Sequence, residues 1–118
     1  MTLWTMAALA LVALVVIRRL FGGRSMSIEV VKAKIAAGAK IVDVRTPDEF
    51  RGGAYPGAVN IPLQSLLGRL KDLSKDRPIV LYCASGSRSA AAASMLRQAG
   101  FADVVNAGGL GNMPRDRV

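Results

Sequence analysis

The sequence holds one cysteine, Cys83, which opens the run Cys83, Ala84, Ser85, Gly86, Ser87, Arg88, Ser89. Before it, Ile79, Val80, Leu81 and Tyr82 read as a short buried strand; after it, Ser89 to Gln98 read as a helix closed by Gly100. A thiol at that junction stands at a helix N-terminus, where unpaired N–H groups and the positive end of the helix dipole favour an anion. The chemistry this suggests is that of a reactive thiolate, with Arg88 adding a full positive charge in the same turn. A lone cysteine behind an apolar strand also serves as a small buried hydrophobe, and position alone does not separate the two readings.

One cysteine excludes an internal disulfide, and no histidine or second cysteine is present to complete a structural zinc site. Without histidine, neither a Cys–His protease pair nor a serine triad can be assembled, so a nucleophile must be activated by its electrostatic surroundings. The formal net charge is +8, and three of those charges, Arg18, Arg19 and Arg24, follow an apolar stretch. The remaining excess of +5 is dispersed from Met26 onward, as on a solvated basic surface. Nucleic acid is therefore not the expected partner; the basic surface leaves a protein partner or anionic headgroups open.

The elements that must position Cys83 follow from the hydrophobic pattern. Ser27 caps a predicted helix from Ile28 to about Ala37 with Gly38 as its stop, and Lys40 to Val44 reads as a strand. Thr46, Pro47, Asp48 and Glu49 spell a capping box with proline at the first helical position, before a short helix that begins at Phe50 and is interrupted at Gly52 and Gly53. Ala58 to Ile61 is a further short strand, and Leu63 to Leu73 a helix with Leu66, Leu67 and Leu70 on one face. A last strand is expected around Asp103 to Val105. This alternation implies an α/β fold with a small parallel sheet and helices on both faces, in which ligands bind beyond the carboxyl ends of strands. Cys83 lies at such an end.

Residues 1–17, MTLWTMAALALVALVVI, carry no charged side chain. As a helix they span about 25 Å, slightly short of a ~30 Å hydrocarbon core, with Arg18 and Arg19 able to snorkel, Leu20 and Phe21 able to add depth and Trp4 placed as an interfacial anchor. A cleaved signal peptide would want a basic n-region and small residues at a cleavage site, and a buried helix would want a polar face; neither is present. The segment reads as a single-pass anchor over 1–21, followed by a linker at 22–26 and one domain over 27–118. The flanking arginines place that domain on the cytoplasmic side of the membrane.

The loop of small residues between Cys83 and Ser89 can turn successive N–H groups inward as an anion cradle. Cysteine phosphatases carry their arginine six positions after the cysteine; here Arg88 is five positions on, and the smaller ring suits a sulfur atom better than a phosphate. At this point the sequence resembles the rhodanese family over residues 27 to 118. The blocks that carry the resemblance are Val42, Asp43, Val44, Arg45 with Glu49 and Phe50; Tyr55, Pro56, Gly57, Ala58, Val59, Asn60, Ile61, Pro62; Tyr82 to Ser89; and Val105, Asn106, Ala107, Gly108, Gly109, Leu110.

The resemblance implies sulfur transfer through a persulfide on Cys83, without cofactor or metal. Its partners would be a small sulfur-donor anion such as thiosulfate and a thiophilic acceptor such as cyanide. The N–H groups of Ala84, Ser85, Gly86, Ser87, Arg88 and Ser89 would then stabilise the anionic sulfur, with Arg88 helping to bind the donor. Asp43, Arg45 and Glu49 are expected in support, Arg45 tying down Asp43 or pairing with Glu49. A non-catalytic module on the same fold, and a small phosphatase or arsenate reductase, are the alternatives. The chain departs from the family at Ala54, where histidine is common, and at Asn112 and Met113, where an aromatic residue is frequent.

Overall fold

The computed structural model describes residues 2–22 and 25–115. Its centre is a four-stranded, all-parallel sheet made of β1 (Lys40–Asp43), β2 (Val59–Asn60), β3 (Ile79–Cys83) and β4 (Val104–Gly109), in the order β2-β1-β3-β4. Among the described residues there are four α-helices, α1 (Leu3–Gly22), α2 (Ile28–Ala36), α3 (Pro47–Arg51) and α4 (Ser87–Gln98), with a ten-residue 3₁₀ stretch at Leu63–Asp72 and a short 3₁₀ turn at Leu110–Asn112.

Because side chains alternate along a strand, β3 feeds two cores. Ile79, Leu81 and Cys83 point to one face, against Ala92, Ala93 and Leu96 of α4 and Leu66 of the 3₁₀ stretch. Val80 and Tyr82 point to the other, with Val31 of α2, Ile41, Tyr55 and Met113. All five β3 residues are buried, as expected for a parallel strand covered on both sides.

The expected elements are in place, with adjusted ends. Ser27 accepts the Val30 N–H at 3.4 Å to open α2, and Gly38 follows that helix at φ +91°. The capping box forms, and it starts α3 at Pro47 rather than at Phe50. Likewise α4 begins at Ser87, two residues before the expected Ser89.

Two expectations are corrected in kind. The stretch after Pro62 is 3₁₀ rather than α, and Arg69 (φ −123°, ψ +21°) breaks its run. Its tighter turn buries Leu66 and leaves Leu67 exposed, so Leu66, Leu67 and Leu70 do not share a face. β4 runs four residues beyond Val105 through Asn106, Ala107, Gly108 and Gly109, a composition that is poor in strand formers. A bulge accommodates them: β3 pairs Leu81 with Asn106 but Tyr82 with Gly108, and the Asn106 Oδ1 accepts the Gly108 N–H at 2.9 Å.

The membrane anchor expected over residues 1–21 is also corrected. Among the described residues no helix is long and apolar enough to cross a membrane. α1 takes in Arg18 and Arg19, so its charge-free part, 3–17, is only about 22 Å long, well short of a ~30 Å hydrocarbon core. Without such a helix the expected single-pass membrane location does not hold, and the flanking arginines have no span on which to orient a cytoplasmic domain. The snorkelling expected of Arg18 and Arg19 and the added depth expected of Leu20 and Phe21 lie outside the described side chains. The linker positions Gly23 and Arg24 and the chain end at 116–118 also lie outside the described residues. At the last position of that linker, the Met26 N–H bonds to the Asn106 carbonyl on β4 at 2.8 Å.

The end of β1 is fastened by a buried ion pair. Asp43 is fully buried and Arg45 nearly so. The carboxylate accepts the Arg45 backbone N–H at 2.8 Å and the guanidinium through Nε at 3.1 Å and Nη2 at 2.7 Å. Nη2 also donates to the Gly53 carbonyl at 2.7 Å. The guanidinium lies 5.6 Å from the centre of the Tyr82 ring, whose hydroxyl accepts the Tyr55 N–H at 2.9 Å. Burial, the leading cause, pushes the Tyr82 phenol up to about 12. Removing one partner of such a pair strands the other charge in the core. Arg45→Met is therefore expected to lower the urea unfolding free energy by about 3 kcal/mol or more, with Arg45→Lys recovering only part because ammonium cannot reproduce the forked contact. A loss below about 1 kcal/mol would show that the pair does not hold this strand end.

Candidate active site

β3 delivers Cys83 to its carboxyl end and the chain must then reverse into α4 within three residues. Gly86 makes this turn at φ +102°, a left-handed conformation costly for any residue with a Cβ. The turn brings the Gly86 N–H back onto the Cys83 Sγ at 2.9 Å. The Ser89 Oγ lies 3.4 Å from the same sulfur and 3.1 Å from the Gly86 carbonyl, to which it can donate. A hydroxyl has one proton, and an ionised sulfur is the stronger acceptor, so ionisation of Cys83 draws that proton toward Sγ.

Cys83 and Ser89 are fully buried, whereas Ala84, Ser85 and Ser87 are exposed. Burial alone pushes the thiol up. The Ser89 hydroxyl and the N–H groups of Ser89, Gly86 and Ser85 outweigh it and bring Cys83 below the ordinary thiol value. A cysteine that only filled space would show the first effect without the second. Of the expected cradle, Ser85, Gly86 and Ser89 bear on the sulfur; Ala84, Ser87 and Arg88 have no hydrogen bond to it among the described contacts.

Arg88 points elsewhere. Its guanidinium grips Glu49 of α3 with both terminal nitrogens, at 2.7 and 3.0 Å. Glu49 therefore pairs with Arg88, not with Arg45, and Arg45 pairs with Asp43. The Glu49 carboxyl is drawn down to about 2, first by Arg88 and then by the Thr46 backbone N–H. The carboxyl is further fixed at Oε1 by the Thr46 N–H at 3.2 Å and hydroxyl at 3.1 Å. The capping box thus locates α3 and at the same time presents a rigid carboxylate to the cysteine loop.

The wall behind the loop is glycine by necessity. A Cβ on Gly109 would lie 2.5 Å from the Ala84 carbonyl oxygen, and one on Gly86 would lie 3.3 Å from the Gly108 Cα. Chemistry-based reading of the sequence singles out Gly86 but not Gly108 and Gly109, whose only signal is their pairing within the closing block. A polar cleft of about 390 Å³ opens beside them, with Ser25, Ser85, Gly86, Ser87, Asn106 and Asn112 in its lining. Among the described residues no three carboxylate or cysteine side chains cluster as a metal site.

The profile of the rhodanese-like domain matches residues 27–111. The chain belongs to the rhodanese family. Its parallel sheet and flanking helices are the rhodanese fold: the solved rhodanese-like domain protein of Staphylococcus aureus superposes with a TM-score of 0.66 at 32% identity, over 77% of this chain and 91% of that one. A sulfurtransferase of Allochromatium vinosum is 41% identical over 66 residues, 56% of this chain and 62% of its own length. The thiosulfate sulfurtransferase PspE of Escherichia coli is 33% identical over 79 residues, 65% of this chain and 76% of that protein. The chain spans 54% and 62% of the length of two of the curated relatives it matches. In this rhodanese, Met113 is buried in the α2-side core, where the family often has an aromatic residue.

The hydrogen bonds to sulfur carry a direct expectation. The pH midpoint for alkylation of Cys83 lies below that of an ordinary thiol, and Ser89→Ala raises it, because the mutant loses a donor that favours the ionised form. An unchanged midpoint, measured as iodoacetamide rate against pH, would mean that Ser89 serves only to cap the turn.

Proposed function

We propose that this rhodanese is a sulfurtransferase that carries a sulfane sulfur as a persulfide on Cys83. The observation that supports it best is the contact set around Sγ: a buried sulfur receiving the Gly86 N–H at 2.9 Å beside the Ser89 hydroxyl, at the N-terminus of α4. Relatives named as sulfurtransferases give the same direction at the level of the family.

In this reading the Cys83 thiolate attacks the outer sulfur of a donor such as thiosulfate. A bond forms between Sγ and that sulfur as the bond to the sulfite sulfur breaks, and sulfite leaves with the electron pair. A thiophilic acceptor such as cyanide then attacks the outer sulfur, and Cys83 departs as the thiolate. Negative charge moves between Sγ and the outer sulfur but stays within reach of the loop. Fixed N–H donors at Ser85, Gly86 and Ser89 therefore serve both half-reactions. No proton has to be removed from an ionised thiol, so the mechanism asks for no general base.

A phosphatase reading loses ground on the same geometry, because the arginine that would clasp phosphate is already bound at both terminal nitrogens by Glu49. The sulfurtransferase reading is tested by mass spectrometry after incubation with thiosulfate. One sulfur atom is expected on the peptide containing Cys83, and Cys83→Ser is expected to lose both this adduct and thiocyanate formation from cyanide. Thiocyanate formation that survives Cys83→Ser would overturn it. A wild-type chain that never takes up sulfur, yet holds a protein partner through this loop, would instead support the non-catalytic module.

A further inference from the structure

Thiosulfate carries two negative charges, and the loop offers little to receive them. Arg88 is the cation nearest the cysteine in the chain, and both of its terminal nitrogens are committed to Glu49. That carboxylate cannot easily swing aside, because the Thr46 N–H and hydroxyl hold its Oε1 through the cap of α3. Arg88 and Glu49 are each about one third exposed, at 33% and 34%, so an incoming donor meets the pair rather than a bare guanidinium. The other arginine of the family blocks, Arg45, is buried against Asp43. Among the described residues of the loop, what remains for an anion is the partial charge of the α4 N-terminus, roughly half an elementary charge and opposed by the thiolate itself, beside those Arg88 N–H groups that do not face Glu49, on a guanidinium whose charge the carboxylate offsets.

We infer that the Glu49–Arg88 pair sets donor specificity, selecting organic persulfides, R–S–SH, over the thiosulfate dianion. This inference rests on the sulfur-transfer reading and names the substrate class of the same site. In the step it favours, the Cys83 thiolate attacks the terminal sulfur of R–S–SH. The Sγ–S bond forms, the R–S bond to that sulfur breaks, and R–S⁻ leaves with the electron pair, giving Cys83–S–SH. One negative charge enters the step and one leaves it, and no dianion has to approach Glu49. Glu49 acts here as a positioning residue through Arg88.

The test compares sulfur loading of Cys83 in the full chain from two donors, thiosulfate and 2-hydroxyethyl persulfide, as kcat/KM read by mass spectrometry. Wild type is expected to favour the persulfide. Glu49→Gln removes the charge while keeping a residue that can complete the capping box, and is expected to raise the thiosulfate-to-persulfide ratio about tenfold. That gain is expected to disappear in the double variant Glu49→Gln with Arg88→Gln, since the freed guanidinium is its source. Circular dichroism and thermal melting establish that each variant is folded. A ratio that stays within about twofold of wild type, or a gain that survives loss of Arg88, overturns the inference. Absence of loading from either donor in wild type is a different failure, that of the sulfur-transfer reading, and removes both.

Discussion

The hydrogen bond from the Gly86 N–H to the Cys83 sulfur depends on a backbone conformation, φ +102°, that only glycine adopts without strain. Once the chain turns there, the rest of the site is constrained. Ser87 must start α4, Ser89 must fall one turn in and face the sulfur, and the strand beside the loop must carry no side chain at Gly109. The thiolate is favoured by donors built into the main chain and one hydroxyl, none of which titrates near neutral pH. In a chain without histidine, activation is a matter of geometry.

Two ion pairs divide the work between the sheet and its surface. Asp43 and Arg45 are buried and hold the end of β1 where Asn60 also donates, to the Asp43 carbonyl at 3.0 Å and the Arg45 carbonyl at 2.9 Å. Glu49 and Arg88 are partly exposed and join α3 to α4 across the mouth of the loop. The first pair belongs to stability, since separating its members leaves a charge without water. The second has solvent on one side, where a change of partner is affordable, and so is free to serve recognition.

Much of this was legible in the residues themselves. Period-two and helical patterns located every strand, and the spelling Thr46, Pro47, Asp48, Glu49 located α3, because caps and buried strands are local properties. The thiol's setting was legible too, since strand, small residues and helix adjoin in sequence. The partner of Arg88 was not, because Glu49 lies 39 residues away and Arg45 stands nearer in sequence. The tail of β4 was hidden for a different reason: Asn106, Gly108 and Gly109 form a strand only because β3 and a bulge hold them there. The 3₁₀ stretch carries a leucine pattern that suits an α-helix equally well until Arg69 breaks it. The apolar N-terminal run pointed to an anchor by composition, and the arginines inside α1 cut its charge-free length.

A parallel sheet exposes two edges, and each is a template on which a foreign strand could grow. Here neither is inviting. β2 offers only Val59 and Asn60, and the Asn60 side chain is turned back onto its own neighbours. β4 is longer but is kinked at Ala107, and the Met26 N–H already occupies the Asn106 carbonyl. The bulge in β4 therefore also guards the domain against edge-to-edge aggregation, which matters for a fold whose central strands are almost wholly apolar.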